Sequence, residues 1–216
     1  LFWIVLIVGT VVLLGSCAKK EESTTAATAA ADNTTSTDNT TSTTSYISTT
    51  TTASGSITMG DDTLSGVYAS ECLTSASTIA FFKATGFWAS EVNAYGQVFV
   101  VTGSDNISIE LYAFTDTSCS NLSQSQKTVS DNVTFGSASG SNYPVTYNNQ
   151  TQALTVHTTA AETALETLYS NALDFIVGTP IELPVSGSGL KYGLWTLSGT
   201  TWYEADDSSS ATPTSA

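Results

Sequence analysis

The chain has 216 residues, enough for one domain of ordinary size with segments to spare, and it carries five lysines, no arginine and 19 acidic residues for a net charge of −14. A nucleic-acid partner is excluded, because phosphates are gripped by clustered cations and these lysines are scattered, with Lys19 and Lys20 side by side near the N-terminus. Charged residues make up only 11 % of the chain while Ser and Thr abound, a profile that fits an exported, hydroxyl-covered β-protein better than a cytosolic enzyme.

Leu1 to Leu14 is almost wholly apolar. At roughly 14 residues it is shorter than the about 20 that a spanning helix needs, and it suits the hydrophobic region of a signal peptide. No Met and no basic flank precede it, so residues 1–16 are expected to be a signal peptide truncated at its start.

The run closes on Leu14-Gly15-Ser16-Cys17. This resembles the lipobox of bacterial lipoproteins: an aliphatic residue, two small residues that fit a peptidase cleft, then a cysteine whose thiol takes a diacylglycerol. The resemblance implies cleavage before Cys17, lipidation at Cys17 and a membrane partner reached through that anchor, since two or three acyl chains hold at about 0.8 kcal/mol per buried CH₂. Ala18, where an Asp favours inner-membrane retention in enteric bacteria, points to the outer membrane of the cell envelope. Lys19-Lys20-Glu21-Glu22 looks like a surface-export signal but reads as well as a solvated linker. A eukaryotic secreted protein is the competing reading, with Asn-x-Ser/Thr triplets at Asn33, Asn39, Asn106, Asn121, Asn132 and Asn149, although such triplets arise by chance in a chain this rich in Ser and Thr.

Residues 17–56 are expected to form the lipidated start and a disordered tether. From Ser23 to Ser56 there is little to bury apart from Tyr46 and Ile47, and such a segment cannot offset the entropy of ordering its backbone. Its roughly 34 residues would reach about 30 Å as a flexible chain. Residues 57–205 are expected to be the folded domain, and 206–216 a disordered tail.

Within the domain, Asn106–Phe114 alternates with period two: Ile107, Ile109, Leu111 and Ala113 on one face, Ser108, Glu110, Tyr112 and Phe114 on the other. Tyr95–Thr102 and Ile107–Thr115, separated by the turn Gly103-Ser104-Asp105, are expected to form a hairpin. Further strands are expected at Gly66–Ser70, Thr78–Lys83, Lys127–Phe135, Gln152–Thr158, Leu190–Leu197 and Thr200–Glu204, the last two joined at Ser198-Gly199 with Trp195, Trp202 and Tyr203 packing nearby. Thr159–Asp174 has helical spacing at Ala161, Leu165, Leu168, Tyr169, Ala172 and Leu173, and Thr159 with Glu162 fits a capping box. The fold class is therefore all-β, a small antiparallel barrel or sandwich with one amphipathic helix near 160–174.

If Cys17 is acylated, Cys72 and Cys119 remain, and export favours a disulfide between them; two buried thiols or metal ligands are the alternatives, the latter lacking a nearby His. A loop of about 48 residues would contribute about 4 kcal/mol through the unfolded chain. Gly66-Val67-Tyr68-Ala69-Ser70-Glu71-Cys72 and Tyr112-Ala113-Phe114-Thr115-Asp116-Thr117-Ser118-Cys119, with the closing Trp195–Tyr203 stretch, resemble a pattern in uncharacterised bacterial lipoproteins commonly described as lipocalin-like. The resemblance implies a lipocalin-like barrel over 57–205; the lipocalin Gly-x-Trp mark is Gly66-x-Tyr68 here.

Catalytic chemistry is not expected. His157, the single histidine, falls on the polar face of a strand, and no Gly-x-Ser-x-Gly elbow accompanies it; Gly136-Ser137-Ala138-Ser139-Gly140 has Ala138 at its centre. Asp61-Asp62 and Asp206-Asp207 lack calcium-loop spacing. Glu71, Glu91 and Glu110 would act as a glycosidase pair only if the fold brought two of them together. No cofactor and no metal are expected. The aromatics allow a second reading, a barrel cavity for a small apolar ligand lined by Phe99, Tyr112, Phe114 and Trp195. The functional expectation is an anchored envelope lipoprotein displaying a β-domain for structural, protein or ligand interactions, with apolar-ligand carriage as the alternative and an envelope hydrolase third.

Overall fold

A computed structural model describes residues 14–21, 47–185, 189–198 and 201–208. The expected signal sequence before Leu14, most of the expected tether and the end of the expected tail lie outside the described residues.

Eleven strands are described: β1 Leu14–Glu21, β2 Ser56–Met59, β3 Asp62–Ser65, β4 Val67–Ser70, β5 Ala94–Val101, β6 Ile107–Phe114, β7 Leu122–Phe135, β8 Tyr143–Val156, β9 Pro180–Leu183, β10 Leu190–Ser198 and β11 Thr201–Ser208. Two helices join them, α1 Ala76–Ala84 and α2 Thr159–Leu168. Every pairing is antiparallel, and nine strands form one sheet in the order β10-β11-β1-β4-β5-β6-β7-β8-β9. The sheet rolls into a barrel because β8 is long enough to serve two partners on its second edge: Tyr143–Asn148 pairs with β10, and Gln152–Thr155 pairs with β9. The all-β expectation holds, and barrel wins over sandwich.

The predicted hairpin is β5–β6, paired from Val101 opposite Ile107 through to Ala94 opposite Phe114. Its period-two pattern sorts the faces. Ile107 and Ile109 point inward beside Tyr68, Phe99, Tyr147, Trp195 and Trp202. The small hairpin β2–β3 turns at Gly60, whose φ of +63° a side chain would resist, and it pushes Ile57, Met59 and Leu64 into that end of the barrel. At the other end Leu111, Ala113, Leu154 and Val156 meet α1, α2, Phe87, Trp88 and Phe175. Both ends are thus plugged, one by a hairpin and one by helices.

The structure corrects four expectations. Thr78–Lys83 is a helix, not a strand: the Ser75 side chain accepts from the Thr78 amide, and Ile79 and Phe82, three apart, bury against the barrel end. Its β-branched and aromatic composition is overridden by that packing. The second helix stops at Leu168, not Asp174, because Ser170 and Asn171 turn left-handed at φ +55° and +56°; its cap is Thr158, which accepts from the Ala161 amide. Residues 206–208, expected in the tail, extend β11 opposite Tyr192 and Gly193.

The fourth correction concerns the tether. Residues 17–21 lie in β1, between β11 and β4. Residues 47–54 form a strap over the outer wall of β4, β5 and β6, where Ile47 is 5 % exposed and packs among Ala69, Ala94, Val98, Val100 and Phe114. Gly96 makes room for it: a Cβ there would lie 2.2 Å from Ile47 Cγ1. Ser54 fixes the far end, its amide donating to the Val101 carbonyl at 2.9 Å and its hydroxyl to that of Thr102 at 2.9 Å. Composition describes this stretch as unable to bury a core, but a strap borrows the core of the wall it covers.

Cys72 and Cys119 form the expected disulfide across 47 residues, tying the end of β4 to the β6–β7 connection. Asp116 shapes that connection: it accepts from the amides of Ser120 and Asn121, and its hydrogen bonds, that from the Ser118 hydroxyl first, hold its carboxyl below the usual range.

Candidate functional site

The polar side chains of the outer wall converge at the strap. Glu110 faces outward on β6 opposite Lys127 of β7, and Tyr112 stands opposite Ser125, so all four share one face. Glu110 is 3 % exposed, yet its carboxylate is well provided for. It accepts from Thr49 at 2.6 Å, from Thr51 and Tyr112 at shorter range, and from Ser108 at 3.4 Å. Lys127 reaches in from solvent, its Nζ 4.0 Å from the carboxylate and 2.8 Å from the Thr51 hydroxyl. A buried carboxylate is tolerated when donors surround it, and here the strap supplies two of them. Burial raises the Tyr112 phenol above its ordinary range, and the hydrogen bond to Glu110 and that carboxylate's charge raise it further.

Beside this cluster runs a groove of about 300 Å³, walled by Glu110, Tyr112, Ser125, Lys127, Thr155, His157 and Pro180 and rimmed by Thr50. Adjacent antiparallel strands align these positions, since Lys127 opposes Ala153, Ser125 opposes Thr155, and Pro180 opposes Thr155 on the next strand. His157 was expected on a polar face, and it is; its ring nitrogen Nε2 lies 3.1 Å from the Ser125 hydroxyl, and partial burial lowers its pKa. Among the described residues no carboxylate hydrogen-bonds the ring, so the pair lacks the group that would orient the histidine as a base. The strand pattern contained this pairing, but only the β7–β8 register reveals it.

The four aromatics expected to line one cavity are not brought together. Phe99 and Trp195 point into the barrel, and Tyr112 and Phe114 point outward, the latter under the strap. Register explains the split: Phe99 opposes Ile109, on the face of β6 that excludes Tyr112 and Phe114. Inside, rings touch rings. Phe99 stacks on Trp202 at 4.5 Å and meets Trp195 edge-on at 5.2 Å; Trp195 meets Trp202 at 5.3 Å and Tyr147 at 5.6 Å. Trp195 donates its indole N–H to the buried Glu204 at 3.1 Å.

The glutamates expected as alternatives for acid chemistry are separated. Glu91 accepts from Ser123 at 2.8 Å and from Thr158 beside α2. Glu110 shares neither of these partners and takes its bonds from Thr49 and Ser108 instead. Glu71 is exposed. Asp61 lies in the β2–β3 turn and Asp62 begins β3. Among the described residues no group of three or more His, Cys, Asp or Glu side chains is placed to hold a metal ion, and no helix is long and apolar enough to cross a membrane. The backbone of Cys17 lies in β1, opposite Tyr203.

No family model and no curated protein matches this chain.

Proposed function

We propose that the protein is a lipoprotein of the cell envelope, anchored through Cys17, whose barrel is a rigid domain displayed for structural or binding interactions. The observation that carries this reading is the Cys72–Cys119 disulfide. Disulfides persist in oxidising compartments, which agrees with a signal peptide over residues 1–16 followed by a retained Cys17. The outer groove beside Glu110 is the surface we assign to contact, because its largely apolar lining, with Leu122, Ala153 and Pro180, is edged by the Lys127 ammonium and the His157 imidazole. Carriage of a small apolar ligand ranks second, because the ring contacts around Phe99 and Trp195 occupy the space such a ligand would need. Enzymatic hydrolysis ranks third, since among the described residues no carboxylate hydrogen-bonds the His157 ring beside Ser125.

The test is intact mass spectrometry of the protein made in a bacterial host behind a complete signal peptide, beside Cys17→Ala. The expected mass begins at Cys17, carries acyl chains and is two protons lighter than the reduced form; Cys17→Ala loses the acyl mass and leaves the membrane fraction. An unacylated wild-type chain would refute the anchor.

A further inference from the structure

The groove beside Glu110 has two unlike ends. Antiparallel register lays its floor in rows across the outer wall: Lys127 beside Ala153, then Ser125 beside Thr155, then His157, whose amide continues the ladder by donating to the Ser123 carbonyl at 2.7 Å. Lys127 therefore stands at one end and His157 at the other, about 13 Å apart along the strands. Between them the floor is low, because Ala153, Ser125 and Thr155 are small. Tyr112 and the strap at Thr50 raise one flank, and Pro180 raises the other.

The Lys127 end offers charge. An ammonium carries three donors. One reaches the Thr51 hydroxyl at 2.8 Å, and the Glu110 carboxylate, 4.0 Å away, lies beyond hydrogen-bond range. Glu110 does not offer itself to a ligand: it is buried, and its oxygens already accept from Thr49, Thr51, Tyr112 and Ser108. Toward the other end the lining turns apolar, with Leu122 and Pro180 beside an imidazole that partial burial holds uncharged at neutral pH. The volume, about 300 Å³, lies at the lower end of the about 300–1,000 Å³ of small-molecule sites, room for one ring and a short arm.

We propose that this groove, outside the barrel, binds a small acid built on one apolar ring, with its carboxylate on the Lys127 ammonium and its ring over Ala153 and Thr155 toward Leu122 and Pro180; this deepens, and rests on, the reading of the same groove as the contact surface. Charge complementarity sets the ligand's sign, because Lys127 is the cation of the lining and has donors left to give. Apolar contact along the floor and flanks supplies the rest of the affinity. Glu182, exposed on β9 opposite Ala153, is outside the lining, and its field is screened within about 8 Å at physiological salt.

The experiment uses the lipidated full chain in phosphatidylcholine vesicles and azidophenyl-propionate as photoprobe, with adducts mapped by mass spectrometry of the peptides. Phenylpropionate, phenylpropionamide and phenylpropylamine compete. The expected adducts fall on the stretches holding Leu122, Thr155, His157 and Pro180. The acid should displace the probe at a concentration about fivefold below that of the amide, the gain open to a half-exposed ammonium, and the amine should fail. Lys127→Met should abolish the preference of acid over amide, Lys127→Arg should keep it, and Ala153→Phe, which fills the floor, should abolish the adducts. Glu182→Gln should favour the acid further and leave the amide unchanged. Tryptophan emission checks folding in each variant. Equal displacement by acid and amide in the parent, or best displacement by the amine, would overturn the acid and keep the groove as contact surface. Loss of the preference in Lys83→Met, on α1, would assign it to net charge and overturn the placement on Lys127. Adducts confined to residues outside the groove would overturn the acid and the contact surface together.

Discussion

The strap over the outer wall should depend on one carboxylate. In Glu110→Ala, the hydroxyls of Thr49, Thr51 and Tyr112 lose their shared acceptor. Hydrogen bonds to an ionised group contribute about 1.5–3 kcal/mol each, but these hydroxyls are partly buried and regain some water, and the substitution also relieves the cost of burying a carboxylate. Lys127 adds little because it is half exposed. The net expectation is a loss of about 3 kcal/mol, with Thr51→Val, which removes one donor and keeps the shape, losing about 1.5 kcal/mol. Urea unfolding of the disulfide-intact chain, followed through the buried Trp195 and Trp202, measures both. Limited proteolysis measures the strap itself: cleavage within 47–54 should accelerate in Glu110→Ala before the tryptophan signal changes. A stability within about 0.5 kcal/mol of the parent, the range of an ordinary surface substitution, with unchanged strap cleavage would refute the reasoning.

Other expectations follow from the same contacts. Gly96→Ala puts a methyl into Ile47, so it should free the strap to proteolysis while the barrel stays folded, at a cost of about 1–3 kcal/mol for overpacking, read by the same urea titration. Replacing Cys72 and Cys119 together by Ala should cost about 4 kcal/mol, the chain-entropy value for the 47-residue separation, measured against the oxidised parent. Phe99→Ala opens the centre of the ring cluster and should cost about 3–5 kcal/mol, with loss of near-ultraviolet dichroism. Burial depresses the His157 pKa below its ordinary 6.5, so the unfolded chain binds the proton first as pH falls. Its contribution to stability is therefore present above pH 6.5 and declines as pH falls from there through the folded pKa; His157→Gln should flatten that part of the stability–pH curve, as compared by denaturation midpoints at pH 7.5 and 5.5.

By itself the sequence determined the local and the alternating. The Ile107–Phe114 pattern specifies a strand with one apolar and one polar face whatever it pairs with, and its turn at Gly103-Ser104-Asp105 places β5 beside it. The pairing of Cys72 with Cys119 was the expectation once Cys17 was set aside for a lipid, and the amphipathic start of α2 came from its period. Three things were decided only by tertiary contacts. Ala76–Ala84 became a helix because Ile79 and Phe82 found a barrel end to plug, a partner that no local propensity records. The stretch around Ile47, Thr49 and Thr51 became ordered because a glycine gap and a buried carboxylate lay far downstream, at Gly96 and Glu110, to receive it. The groove joining Glu110, Ser125 and His157 exists because three consecutive strands pair in one particular register; side-chain type tells which face a residue prefers, and register alone tells which neighbours it meets there.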